Sequence, residues 1–223
     1  MHFPTPPASL ARRPFVAMAA LLLAGDAVLV ALFVALKLGW VGDEGLLLGR
    51  DGGYAEVVQY AKTLWVGLCA GWLAWESRQP VFAALAVLFV GLLADDAGRL
   101  HEFWGARLAD ALSLPAVVGL RPIDLGEVLF LALWVGPVFL FGVAAYARSD
   151  RPARVTARWA LGALVALAAF GVGADALHQS VTGLVEVNGL HTALTIVEEG
   201  GEVAVMSVLA AGAIALVLGR RGG

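Results

Sequence analysis

The sequence predicts an all-α polytopic membrane protein: a bundle of six transmembrane helices with both termini cytoplasmic. Three observations predict it. The 223 residues are 60% hydrophobic and only 15% charged, with a mean hydropathy of +0.83. The apolar residues come in long runs, six of which reach the roughly 20 residues needed to cross a hydrocarbon core. The arginines collect in alternate connections, as the positive-inside rule requires. Runs of this length also exclude a transmembrane barrel, whose strands alternate over about 10 residues.

The spans fall at 14–38, 56–77, 80–104, 125–147, 157–180 and 195–219, within a single domain 14–219 flanked by cytoplasmic tails 1–13 and 220–223. The first follows Arg12-Arg13-Pro14, which faintly resembles a twin-arginine signal. Its apolar stretch is too long for a signal core and lacks a small-x-small cleavage site, so it reads as a retained helix. Arg78 separates spans two and three. Arg148, Arg151, Arg154 and Arg158 fill the connection between spans four and five, and Arg220 and Arg221 close the chain. The opposite connections hold only Arg50, Arg107 and Arg121. Cys69 is the single cysteine, which excludes an intramolecular disulfide and thiolate metal clusters. Nucleic-acid binding has no basic patch beyond the arginines that topology already explains.

Polar residues inside the spans carry the functional signal, because an ionisable side chain in a membrane costs at least about 2.5–3.5 kcal/mol and faces a partner. At about 1.5 Å per residue, Asp95 lies roughly 22 Å from the cytoplasmic end of span three. Asp175 in span five lies about 25 Å out, and Glu202 in span six about 27 Å. Asp26 and Lys62 lie about 20 and 24 Å out in spans one and two. All belong to the extracytoplasmic half, and the other half is nearly free of charge.

Spacing within the helices sharpens this. Asp95, Arg99 and Glu102 share one stripe of a continuous span three, beside Asp96 and His101. Asp175-x-x-His178 points two ligand-type side chains at one spot. His191, Thr195, Glu198 and Glu202 follow a second stripe, with Glu199 beside it. Three carboxylates within five residues, Glu198-Glu199-x-x-Glu202, repel unless cations or protons neutralise them. Helix bundles that hold two metals use Glu-x-x-His pairs and bridging carboxylates in this way. Asp26 and Lys62 read as a structural ion pair, and His191 as a residue of the outer loop or helix start.

Asp95-Asp96-x-x-x-x-His101-Glu102 followed by Glu198-Glu199 resembles a pattern in uncharacterised bacterial multi-pass membrane proteins. These carry Asp-Glu or Asp-Asp, four residues and His-Glu near the end of one span, with a Glu-Glu pair in a later one. The resemblance covers two short motifs and implies a shared site without supplying an activity. Where such proteins often have Asp-Glu, this chain has Asp95-Asp96.

The expectation is therefore a bacterial inner-membrane protein with a carboxylate/histidine site for one or two metals near its extracytoplasmic face. The ligands expected are Asp95, Glu102, Asp175, His178, Glu199 and Glu202, then His101 and Glu198. Arg99, Lys62, Asp96, Asp26 and His191 are accessory. Oxygen-rich ligation with imidazole suits iron, manganese or zinc. Such a metal would serve an oxidoreductase or hydrolase acting on a lipid or other apolar substrate. The alternatives are a proton- or cation-coupled carrier using the same residues, and a structural or regulatory membrane subunit without metal.

Overall fold

The computed structural model describes residues 8–116, 121–174 and 188–221, all helical or irregular, with no strand among them. The helices are α1 (Ala8–Lys37), α2 (Tyr54–Ser77), α3 (Pro80–Gly98), α4 (Leu100–Ala111), α5 (Pro122–Arg148), α6 (Arg151–Ala168) and α7 (Asn188–Arg221). A 3-10 turn, Glu44–Leu46, lies between α1 and α2, and α6 continues as a π-helical turn over Ala169–Ala174. By contacts the chain divides into two compact units: residues up to Val66 with those from Arg158 onward, and Gly67–Ala157.

Among the described residues, five helices are long and apolar enough to cross a membrane: Arg13–Lys37, Pro80–Gly98, Pro122–Arg148, Arg151–Gly171 and Gly189–Arg220. The sixth expected span, α2, has 24 residues but is not in that set, because Gln59, Lys62 and its tryptophans and glycines lower its hydropathy. Large apolar side chains point outward, among them Leu21 (68% exposed), Phe139 (63%) and Leu140 (70%). A surface of that kind associates in water and is matched by lipid.

In the first unit α7 is the central element. Met206, Ser207, Leu209, Ala210 and Ala211 are at most 2% exposed. Its small residues admit close neighbours, as membrane helices use them. The Trp159 indole seats against Gly212 and the Phe170 ring against Gly201, where a methyl would stand 2.2 and 2.3 Å from the rings. Phe33, Leu48 and Ala55 close the α2 end of this unit, with Val30, Leu47 and Ile196 packed on them. The loop before α2 is tied by Asp43, which accepts from the Gly45 N–H at 2.9 Å and the Tyr54 hydroxyl at 2.8 Å.

In the second unit α4 crosses α5 at two glycines. A methyl on Gly126 would stand 2.0 Å from the Gly105 carbonyl oxygen, and one on Gly105 would stand 2.7 Å from the Glu127 nitrogen. Trp134 of α5 fills the space left by Gly91 of α3. At the α5–α6 turn the Ser149 hydroxyl accepts the Val81 N–H and donates to the Ala145 carbonyl, and Gln79 accepts the Asp150 N–H.

Three sequence expectations are corrected. The third span does not run to 104: Arg99 takes a left-handed conformation (φ 49°, ψ 40°) that ends α3, and α4 restarts at Leu100. Asp95, Arg99 and Glu102 therefore do not share a stripe of one continuous helix. The fifth span begins at Arg151 rather than 157, so its arginines ride on the helix itself. The last begins at Asn188 rather than 195, and His191 lies in its first turn, the helix start that was one of the two places expected for it.

Candidate functional site

The first unit buries three polar side chains together. Asp26 of α1 (6% exposed) accepts from the Lys62 ammonium of α2 (2%) and from the Ser207 hydroxyl of α7 (0%). Lys62 also donates to the Val203 carbonyl at 3.2 Å. The α2 backbone stands off from α1 and α7, so the long Lys62 side chain reaches across to them. Each charge thus meets an opposite charge and a second hydrogen bond. Both are required before a desolvated pair is tolerable.

One turn from this floor, Gln59 Nε2 donates to Glu202 Oε2 at 3.4 Å. Glu202 lies over Gly171, where a methyl would stand 2.6 Å from Oε1. Gly171 belongs to the π-helical turn, a distortion often found at functional sites. Glu199 turns instead toward the loop and lies over Gly49, where a methyl would stand 2.7 Å from its Oε1. Glu198 is half-buried on the same helix. His191 meets Thr195, its Nδ1 3.3 Å from the hydroxyl. Tyr60 bonds Glu56 on α2. Lys62, Gln59 and Glu56 thus recur every three residues down one side of α2, parallel to Ser207, Glu202 and Glu199 on α7.

The second unit holds its own polar cluster where α3 passes into α4. Asp95, 6% exposed, accepts the His101 N–H at 2.9 Å, capping α4 from the last turn of the preceding helix. Its other oxygen lies 3.3 Å from His101 Nδ1, but the approach is off the hydrogen-bonding direction and leaves that buried nitrogen without a bond. Arg99 grips Glu102 with two bonds, Nε–Oε1 at 2.9 Å and Nη2–Oε2 at 2.6 Å. That hydrogen-bonded guanidinium holds the Glu102 carboxyl below the usual range. Arg121 likewise grips Asp124 and donates to it the backbone N–H that precedes α5.

Of the expected ligands, Asp95, His101 and Glu102 belong to the second unit and Glu198, Glu199 and Glu202 to the first. Asp175 and His178 lie outside the described residues. Asp95 meets His101, and Glu102 meets Arg99. Among the described residues no three His, Cys, Asp or Glu side chains converge closely enough to hold a metal. Accessory Asp26 pairs with Lys62, while Asp96 is exposed at the end of α3. Ser207 was not expected at all. Its signal is indirect: a carboxylate as deep as Asp26 needs a second donor, and Ser207 is the hydroxyl of α7 one turn beyond Glu202 and Val203.

No curated protein and no solved structure matches the chain. The family described as a domain of unknown function, DUF8692, matches residues 5–217, nearly the whole length, and the protein belongs to that family.

Proposed function

We propose that this is a six-span protein of the bacterial cytoplasmic membrane, termini inside, that binds a cation in a polar well opening toward the extracytoplasmic face. The Asp26–Lys62–Ser207 cluster is the floor. Glu202, Gln59 and Glu199 form the wall, and Glu198 stands at the mouth. The observation that carries this reading is the buried floor itself. A desolvated ion pair is costly to keep, and here it lies directly below carboxylates rather than among apolar side chains alone.

Below the floor the charged side chains stop on three of the helices. No charged residue occurs in α1 between Arg13 and Asp26, in α6 after Arg158, or in α7 between Glu202 and Arg220. That favours a site over a through-route. Glu199 and Glu202, with Asp175 and His178, are the ligands this reading assigns. The oxygen-rich set suits iron, manganese or zinc. A bound metal would supply Lewis acidity and an activated water to a lipid or other apolar substrate. Lys62 then fixes Asp26 and leaves the net charge of the well negative.

Elemental mass spectrometry of protein purified without chelator tests this. One to two equivalents of a transition metal, lost in Glu199→Ala and His178→Ala, are expected. No stoichiometric metal after reconstitution with iron, manganese and zinc overturns the metal reading. A second reading, a proton relay, draws on the Lys62–Asp26 pair, since intramembrane ion pairs mark such routes. It requires proton flux in proteoliposomes that Asp26→Asn abolishes.

A further inference from the structure

The second unit carries an open cleft of about 730 Å³, lined by Gly98, Arg99, His101, Glu102, Phe103, Arg121, Ile123 and Glu127. Its volume is in the range of small-ligand sites. Gly98 is the last residue of one candidate span, and Arg121, Ile123 and Glu127 belong to the start of the next. The lining therefore sits where two membrane helices leave the hydrocarbon, at the level of lipid headgroups.

Helix α4 fits the same level. With 12 residues it is too short to span. It turns Gly105 and Ala109 inward and leaves Phe103 (50%) and Trp104 (46%) exposed, with the Arg107 guanidinium 3.4 Å over the Phe103 ring. Aromatic rings beside arginine at a helix surface are the composition of an interfacial helix.

The cleft lining carries both signs, Arg99 and Arg121 with Glu102 and Glu127; Arg99 is bonded to Glu102, and Arg121 to Asp124. A purely anionic ligand would meet two carboxylates and a cationic one two guanidinium groups. A zwitterion with phosphate at one end and a hydrogen-bonding ammonium at the other satisfies both. Guanidinium suits phosphate, which competes here with Glu102 and Asp124 for the two arginines. Glu127 crosses α4 over Gly105, where a methyl would stand 2.5 Å from its Cγ, so the glycine lets this carboxylate reach the cleft wall. Asp95 fixes that wall by holding the His101 backbone. We infer that the cleft binds the headgroup of a membrane phospholipid with a primary amine, of the phosphatidylethanolamine class. Phosphate meets Arg99 and Arg121, the amine meets Glu127, and Phe103 packs on the glycerol.

The test is native mass spectrometry of the delipidated full chain after adding back dioleoyl phosphatidylethanolamine, phosphatidylglycerol or phosphatidylcholine. Phosphatidylethanolamine should be retained about tenfold better than either, the worth of one charge-assisted hydrogen bond. Glu127→Gln should abolish the preference over phosphatidylglycerol, and Arg121→Gln should weaken all three. Equal retention of the three lipids by the wild type overturns the proposal without recourse to any variant. So does a preference that survives Glu127→Gln. Displacement of the lipid by an equal concentration of glycerophosphoethanolamine would assign the cleft to a soluble zwitterion and overturn the lipid.

Discussion

Replacing Lys62 by methionine keeps most of the side-chain volume and removes the charge that Asp26 faces. The side chains are 2% and 8% exposed, so almost none of the lost interaction can be replaced by water. Breaking a buried pair by removing one partner costs about 3–5 kcal/mol. For a chain of this size that corresponds to roughly a 10 °C fall in Tm. The double variant Lys62→Met/Asp26→Leu behaves differently. With Asp26 gone, the Ser207 hydroxyl can turn to the Val203 carbonyl, four residues before it and vacated by Lys62. No buried polar group is then stranded, and stability returns to within about 1 kcal/mol of wild type. Unfolding in mixed detergent micelles, followed by circular dichroism, measures the singles Lys62→Met and Asp26→Leu and the double variant. Single losses below about 1 kcal/mol, or a double variant equal to the sum of the singles, would refute the coupled floor. The stable double variant then separates roles: retained metal makes the pair structural, and lost metal makes it part of the well.

Three further outcomes are expected. Gly126→Ala places a methyl 2.0 Å from the Gly105 carbonyl, a backbone atom that cannot rotate away, and should cost about 3 kcal/mol or more in the same unfolding assay. Asp95→Ala removes the acceptor for the His101 N–H and should cost about 1–2 kcal/mol, whereas Asp95→Asn, which keeps an acceptor, should cost less. The Tyr54 hydroxyl, then the Gly45 N–H, lower the Asp43 pKa below that of an unfolded aspartate. The stabilisation of the loop is therefore complete above the unfolded value, about 3.9, and is lost as pH falls through the folded one. Amide exchange at Gly45, corrected for intrinsic rates, should show protection that is full above about pH 4 and fades only as pH falls further, and Tyr54→Phe should flatten that dependence.

Five of the expected spans were legible because hydropathy and length decide them. The pairing of Asp26 with Lys62 was legible because helical rise puts the two at similar heights on their helices. The break in the third span was not. Arg99 in the left-handed region costs about 1–2 kcal/mol, so propensity argues for continuing the helix. What offsets that cost is the Asp95 bond to the His101 N–H, which exists only once the helix has broken, beside the fork between Arg99 and Glu102. A stripe drawn on an unbroken helix necessarily missed that bond. The early start of α7 was hidden for a similar reason: Asn188-Gly189 reads as a turn, but the Thr195 hydroxyl bonds the His191 carbonyl within a formed helix. Ser207 was silent because a serine in a membrane helix ordinarily satisfies itself on its own backbone.

Three glutamates lie over glycines: Glu199 over Gly49, Glu202 over Gly171 and Glu127 over Gly105. This supplies a perturbation that moves a carboxylate without changing its charge. In Gly171→Ala the new methyl would stand 2.6 Å from Glu202 Oε1, against the end of a side chain that can yield by turning. The cost in stability should be small, and the carboxylate should shift by about an ångström, the displacement needed to restore van der Waals contact. A metal demands ligand distances within about 0.2 Å, so Gly171→Ala should lower metal occupancy nearly as far as Glu202→Gln does. A proton relay or a diffuse attraction for cations tolerates such a shift. Metal occupancy, measured for both variants by elemental mass spectrometry, decides between them. If Gly171→Ala stays loaded while Glu202→Gln empties, Glu202 acts through its charge and not as a ligand.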